Sequence, residues 1–149
     1  MHAHKSTERV HRFEAICREN GLPITVQRRV LIDAIVRTDK HPTAEELWDH
    51  AREILPDISR TTVYRILDAF VDLGLVNRVP HPRGATRFDG NVDPHHHIIC
   101  TRCERVHDVH EPVCSNLRQP EQLPPGFQLQ SCSVLFLGLC QDCQRLTQN

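Results

Sequence analysis

The sequence predicts an α+β chain, helical in its first half and strand-rich in its second. Three observations predict this. Apolar residues recur at helical spacing as far as Leu73, and the later helical runs each follow a capping Thr or Ser. Beyond Pro94 the pattern changes to short alternating segments. Two Cys-x-x-Cys pairs, Cys100/Cys103 and Cys140/Cys143, punctuate that second half.

Composition narrows the function classes. The 149 residues and 17.2 kDa allow one domain or two small ones. A net charge of -1 and a pI near 6.8 exclude a globally basic nucleic-acid binder. Residues 1–84 carry 13 Lys+Arg against 12 Asp+Glu, and residues 85–149 carry 5 against 7. Any DNA contact must therefore come from a local face. No run of about 18 apolar residues spans a membrane, and residues 1–8 lack the apolar core of a signal peptide. Seven cysteines, an odd number, fit a reducing compartment better than a disulfide scaffold, so the expected location is the cytoplasm.

Residues 7–20 read as a first helix, with Thr7 as its cap, Val10, Phe13, Ile16 and Cys17 on one face, and Asn20-Gly21 as its end. Cys17 reads as a buried small hydrophobe. Thr25 caps a second helix whose stripe is Val26, Val30, Leu31, Ala34 and Ile35. Arg28 and Arg29 near its start meet phosphate or form a solvated basic face. Thr43 with Glu46 is a capping box, opening a third helix with Leu47, Trp48, Ala51, Ile54 and Leu55 inward. Pro56 ends it.

Ser59 caps a fourth helix, with Val63, Ile66, Leu67 and Phe70 inward and Gly74 at its end. Arg60, Thr61, Thr62, Tyr64 and Arg65 crowd its first turns on the other side. Hydroxyls, a phenol and two guanidiniums there are what a recognition helix brings to a major groove. The alternative is a Tyr packed on the preceding loop. Residues 75–79 and 85–89 form a hairpin around His81-Pro82-Arg83-Gly84, with Arg83 at the tip placed for a phosphate or the minor groove. Helices followed by a basic hairpin make a winged helix. The expected organisation is a winged-helix DNA-binding domain over 1–84, a hinge over 85–94, and a dimerisation and metal-binding domain over 95–149.

In that last part, 95–99 and 106–109 read as strands joined by the first Cys pair, 113–122 as a short helix limited by prolines, and 127–139 as the longest apolar strand. A strand apolar on both faces must be covered by helices or by another chain. A domain of about 55 residues is too small to be comfortable without a metal or a partner. Both points lead to an obligate homodimer with a zinc staple. Two Cys-x-x-Cys pairs complete a tetrahedral four-thiolate site, giving Cys100, Cys103, Cys140 and Cys143 as structural zinc ligands. Disulfides, reduced core thiols or a redox-active pair are the competing readings. Asp89, His95 and His97 crowd the same stretch with nitrogen and oxygen donors suited to iron, manganese or zinc.

The sequence resembles the ferric uptake regulator family of metal-dependent bacterial repressors, and within it the peroxide-sensing branch. The resemblance rests on Ile24-Thr25-Val26-Gln27-Arg28, His41-Pro42-Thr43-Ala44, Thr61-Thr62-Val63-Tyr64-Arg65, Arg87-Phe88-Asp89, His95-x-His97-x-x-Cys100-x-x-Cys103, Asp108 and Cys140-x-x-Cys143. It covers nearly the whole chain. It implies a regulatory metal between the domains, held by His41, Asp89, His95, His97 and Asp108. It implies Fe2+ or Mn2+ at that site, Zn2+ at the cysteines, and a double-stranded DNA operator as partner. Asp at position 89, where iron-sensing members have Glu, implies peroxide sensing through oxidation of His41 or His95. The chain departs from iron-sensing relatives at His96, where they have Asp, at Cys132, where a ligand His is common, and at Ser115, where they have Glu. His96 then joins an altered site with Cys132 or faces solvent. Cys114 and Cys132 read as structural or inert thiols, and His107 and His110 as surface residues.

Three competing readings keep different parts of this picture. One is a repressor of the same family that senses iron, zinc, manganese or nickel availability. A second is a zinc hydrolase or deaminase using His95 and His97, against which the chain has no HExxH and no His-x-Glu with Pro-Cys-x-x-Cys. The third is a metal-stapled dimerisation module that binds protein rather than DNA. The expected protein is a regulator without enzymatic activity.

Overall fold

The structure is a computed structural model, and it describes residues 2–113, 117–118, 120–130 and 132–146. The chain divides into two compact units, Met1–Val92 and Asp93–Asn149. Among the described residues no helix is long and apolar enough to cross a membrane.

The first unit is four helices and a hairpin: α1 (His2–Glu19), α2 (Val26–Val36), α3 (Ala44–Ile54), α4 (Arg60–Asp72), β1 (Asn77–Val79) and β2 (Arg87–Asp89). Caps set most of the boundaries. The hydroxyls of Thr25, Thr43 and Ser59 accept the amides of Arg28, Glu46 and Thr62, and Glu46 returns the bond to Thr43 in a full capping box. Each such cap contributes about 1 kcal/mol. Gly21 and Gly74 follow α1 and α4 with φ of +64° and +66°, the left-handed turn that glycine adopts without a Cβ clash. Thr7 lies inside α1 rather than capping it. No Gly or Pro precedes it to stop the helix growing back towards the N-terminus.

The core is continuous through the four helices. Phe13 and Phe70 meet edge to face with centroids 5.2 Å apart, which locks α1 onto α4. Leu31, Ile32, Ile35, Leu47, Val63, Leu67 and Phe70 are all but fully buried. All four inward residues expected of α4 are buried. Two expected core positions are exposed, Val26 by 63% and Ile54 by 53%. Both stand at helix ends, where the chain turns away from the core, and Ile32 and Val36 fill the α2 face instead. Gly90 passes directly over α2, where an added Cβ would lie 3.1 Å from Val36 Cγ1 and 3.3 Å from Val36 Cα.

The second unit is a three-stranded sheet, order β4–β3–β5, from β3 (His96–Cys100), β4 (Val106–Val109) and β5 (Leu135–Gly138), closed by a short α5 (Gln141–Arg145). β3 pairs antiparallel with β4 and parallel with β5. The strand expected over 127–139 is only four residues long. β3 begins at His96, so it offers nothing for the described residues of 127–133 to pair with. No described residue of 113–122 is in an α-helix, and Cys114, Ser115, Asn116 and Gln119 lie outside the described residues.

Candidate metal centres

The sheet register builds the thiol site. Cys100 ends β3, and the parallel pairing sets it beside Gly138 of β5, two residues before Cys140. Both Cys pairs therefore emerge at the same end of the sheet. Cys140 is the N-cap of α5, and Cys143 lies within its first turn. Glu104 closes the first knuckle with a left-handed φ of +61°. Arg102 donates to the Cys143 carbonyl at 3.2 Å, and Arg105 pairs with Asp142 at 3.2 Å, so two guanidiniums tie one knuckle to the other.

The four sulfurs lie within 4.8 Å of one another, and Cys103 Sγ is 3.7 Å from Cys140 Sγ. Zn–S bonds of about 2.3 Å set tetrahedral S–S edges of about 3.8 Å. These cysteines are free thiols rather than disulfides. Amides of Cys103 and Cys140 donate towards Cys100 and bring its thiol down to about 5, so it is a thiolate at neutral pH. Burial pushes Cys143 up to about 12. One anionic and one reluctant thiol in a ring of sulfur is a donor set completed by a soft divalent cation, and it fits zinc.

A second donor group lies at the other end of β3. His97 stands opposite Asp108 in the β3–β4 ladder, and His95 is two residues upstream of His97. His95 Nε2 lies 3.0 Å from His97 Nε2 and 3.5 Å from Asp108 Oδ1, and His97 Nε2 lies 3.7 Å from Asp108 Oδ1. Metal bonds of about 2.0–2.2 Å to imidazole and carboxylate produce donor separations of about 2.8–3.6 Å. His95 Nδ1 contacts the Asp93 carbonyl at 2.7 Å. A carbonyl only accepts, so Nδ1 carries the proton and Nε2 presents its lone pair. Three donors converge as one face of a coordination sphere. His110 stacks on His95 at 5.7 Å, and both His107 and His110 are exposed. His96 is buried rather than solvent-facing, and its Nδ1 accepts the Val134 amide at 3.3 Å.

In the first unit His41 and Asp89 form a buried pair, 3% and 6% exposed, with Nε2 and Oδ2 3.7 Å apart. The loop before α3 is bridged to β2 through Thr43 and Arg87, and the Phe88 amide donates to the Pro42 carbonyl. That pairing brings together residues 48 positions apart. Asp89 Oδ1 accepts the Asn91 amide at 2.7 Å, which leaves Oδ2 towards His41. His41 itself has φ of +51°, a left-handed backbone that His adopts more readily than most residues. Sequence patterns gave no sign of that turn or of the Asp93 carbonyl, and pointed to Arg87 only as part of the Arg87-Phe88-Asp89 motif.

The residues assigned to DNA divide into exposed and engaged side chains. Thr61, Tyr64 and Arg65 are exposed on α4, Tyr64 by 46%. Arg60 stacks over Trp48 at 4.3 Å and pairs with Glu45 at 3.3 Å, and the Thr62 hydroxyl bonds the Ser59 hydroxyl at 2.9 Å. Arg28 is half-buried and donates to the Pro23 carbonyl at 2.6 Å, and Arg29 pairs with Glu14 at 2.8 Å. Arg83 is exposed between β1 and β2.

Four helices with a hairpin in one unit, and in the other a small sheet carrying thiolate and imidazole–carboxylate donors, are the architecture of a metal-binding regulator. The ferric uptake regulator family model matches residues 19–137, and the chain belongs to that family. It is 34% identical over 127 residues to a peroxide-responsive repressor from Staphylococcus saprophyticus, covering 85% of this chain and 86% of that one. Among solved structures, it is similar to a zinc-bound manganese uptake regulator, with 27% identity, a TM-score of 0.66, and coverage of 85% and 97%. The ferric uptake regulator of Helicobacter pylori shares the fold, with 21% identity, a TM-score of 0.72, and 93% of each chain covered.

Proposed function

We propose that the chain is a metal-dependent transcriptional repressor that binds operator DNA as a homodimer and releases it when peroxide oxidises its regulatory site. It acts as a regulator and not as an enzyme. The observation that carries this reading is the convergence of His95, His97 and Asp108 into half a coordination sphere, in a chain whose other unit holds the buried pair His41 and Asp89. In this reading the five donors share one Fe2+ or Mn2+ ion, and Cys100, Cys103, Cys140 and Cys143 hold Zn2+. Donors from both units in one sphere give the metal a different affinity for two arrangements of the chain, which is what coupling to DNA requires.

Bound ferrous iron would supply the activation of hydrogen peroxide and end in the state in which it began. His41 or His95 would take up one oxygen atom, and the two electrons that imidazole gives up reduce the other oxygen of the peroxide to water. An oxidised imidazole is a poor donor, so the donor set falls apart. Asp89, rather than Glu, and the similarity to a peroxide-responsive repressor both favour this signal.

Tyr64 and Arg65, with Thr61, are the exposed groups of α4 for base edges and phosphates, and Arg83 serves from the hairpin. Arg28, Arg60 and Thr62 contribute only if they exchange their present partners for phosphate. Leu135, Phe136 and Leu137 are 38%, 36% and 54% exposed on β5, and an apolar edge strand of this kind favours pairing with a second copy. A regulator set in the cytoplasm by metal availability alone is the second reading, favoured by the manganese uptake regulator similarity.

The test is mass spectrometry of the Fe2+ form after low peroxide, alongside binding to a duplex selected from a random-sequence pool. One added oxygen on a His41 or His95 peptide, with DNA released, is expected, and the Mn2+ form should keep its DNA. Unmodified histidines with DNA binding lost only on chelation support metal-availability sensing instead.

A further inference from the structure

The His41 backbone is held by a side chain that donates nothing to a metal. Arg87 NH1 lies 3.0 Å from the His41 carbonyl and 3.5 Å from Glu46 Oε2. The same Glu46 oxygen accepts the Thr43 amide at 2.7 Å, closing the capping box of α3. One guanidinium nitrogen thus joins a left-handed His41 to the start of the helix that precedes α4. The Arg87 side chain is only 15% exposed, where a charge-assisted bond is stronger than at the surface.

We infer that Arg87 is a positioning residue for the regulatory metal: it fixes the His41 backbone at φ +51° so that the imidazole faces Asp89, and it passes a shift of His41 to the α3 N-terminus through Glu46. This rests on the reading of His41 as a metal ligand. The physical case is that a left-handed backbone at a non-glycine residue persists only where its surroundings hold it. The carbonyl of His41 is one of the few groups through which that can be done. When His41 moves, Arg87 must reapportion its bond between the carbonyl and Glu46, and Glu46 is shared with the cap.

The test is calorimetric titration of Mn2+ into the full-length, zinc-loaded protein, using Arg87→Met, Arg87→Lys, His41→Asn and the double variant His41→Asn/Arg87→Met. Asn tolerates a left-handed backbone, so the loop survives the His41 change. Arg87→Met should weaken Mn2+ about tenfold, as loss of a group behind a ligand does, with zinc content and far-ultraviolet circular dichroism unchanged. Arg87→Lys keeps the charge but is shorter and lacks the planar fork, and should fall between. In the His41→Asn background, Arg87→Met should cause no further loss, because its effect runs through His41. Equal losses in both backgrounds would make Arg87 merely structural and overturn the inference. If His41→Asn weakens Mn2+ and neither Arg87 variant does, the inference fails and the ligand reading stands. If His41→Asn itself leaves Mn2+ binding intact, the ligand reading fails.

Discussion

His97 and Asp108 face each other across two antiparallel strands, imidazole Nε2 to carboxylate Oδ1 at 3.7 Å. Cross-strand register, rather than loop geometry, fixes that spacing, so the pair is rigid before any ion arrives. Asp108→Asn preserves the shape and removes the charge. It should weaken Mn2+ binding by about tenfold or more, judged against the effect of losing an outer-sphere partner. Zinc content should not change, because the cysteines lie at the opposite end of β3. Metal analysis after gel filtration, together with Mn2+ titration, checks both parts.

The thiol site carries a pH signature. Cys100 is a thiolate above about pH 5 and has no proton to give up at neutrality. Cys143, raised to about 12 by burial, must release one when zinc binds. Zinc affinity should therefore fall as pH falls through neutrality, and fall more steeply below about pH 5 as Cys100 also takes up a proton. Competition against a zinc chelator across that range measures it. Cys103→Ser should lose the ion and the folded state of residues 93–149, since so small a sheet has little core of its own.

Gly90 tests how β2 is held. A methyl group there meets Val36 Cγ1 at 3.1 Å, Ile35 Cγ2 at 3.2 Å and the Val36 backbone at 3.3 Å, and backbone cannot swing aside. Gly90→Ala should cost about 1 kcal/mol or more by overpacking. That lowers the melting temperature of the helical unit by about 4–8 °C. A melt unchanged within a degree would show that β2 has room to move.

Arg65 and Arg28 should separate under salt titration. In the proposed reading exposed Arg65 meets a DNA phosphate, and Arg65→Ala should then lower the slope of binding against salt by about one unit. Arg28 spends its guanidinium on the Pro23 carbonyl. Arg28→Ala should lower stability and leave the salt slope nearly unchanged.

Much of this was legible in the chain. Thr25, Thr43 and Ser59 announced their helices because capping is local chemistry, written within four residues. The four cysteines were legible for the same reason. The inward face of α4 followed from its period, whereas Val26 and Ile54 kept the period and lost the burial at helix ends. The extent of β5 was not legible, because strand length depends on how much of β3 is available to pair. Nor was the burial of His96, which follows from its bond to the Val134 amide, 38 residues away. The left-handed turn at His41 and the grip of Arg87 are also products of long-range contacts. No spacing rule reaches across the 46 residues between them.

The most direct measurement is the Mn2+ stoichiometry and affinity of the zinc-loaded protein beside two single variants, His41→Asn and His97→Ala, one from each unit. If donors from both units hold one ion, the parent binds one Mn2+ per chain beyond its zinc, and each variant alone abolishes or severely weakens that same binding event. Two independent Mn2+ events, each removed by only one of the variants, would contradict the account.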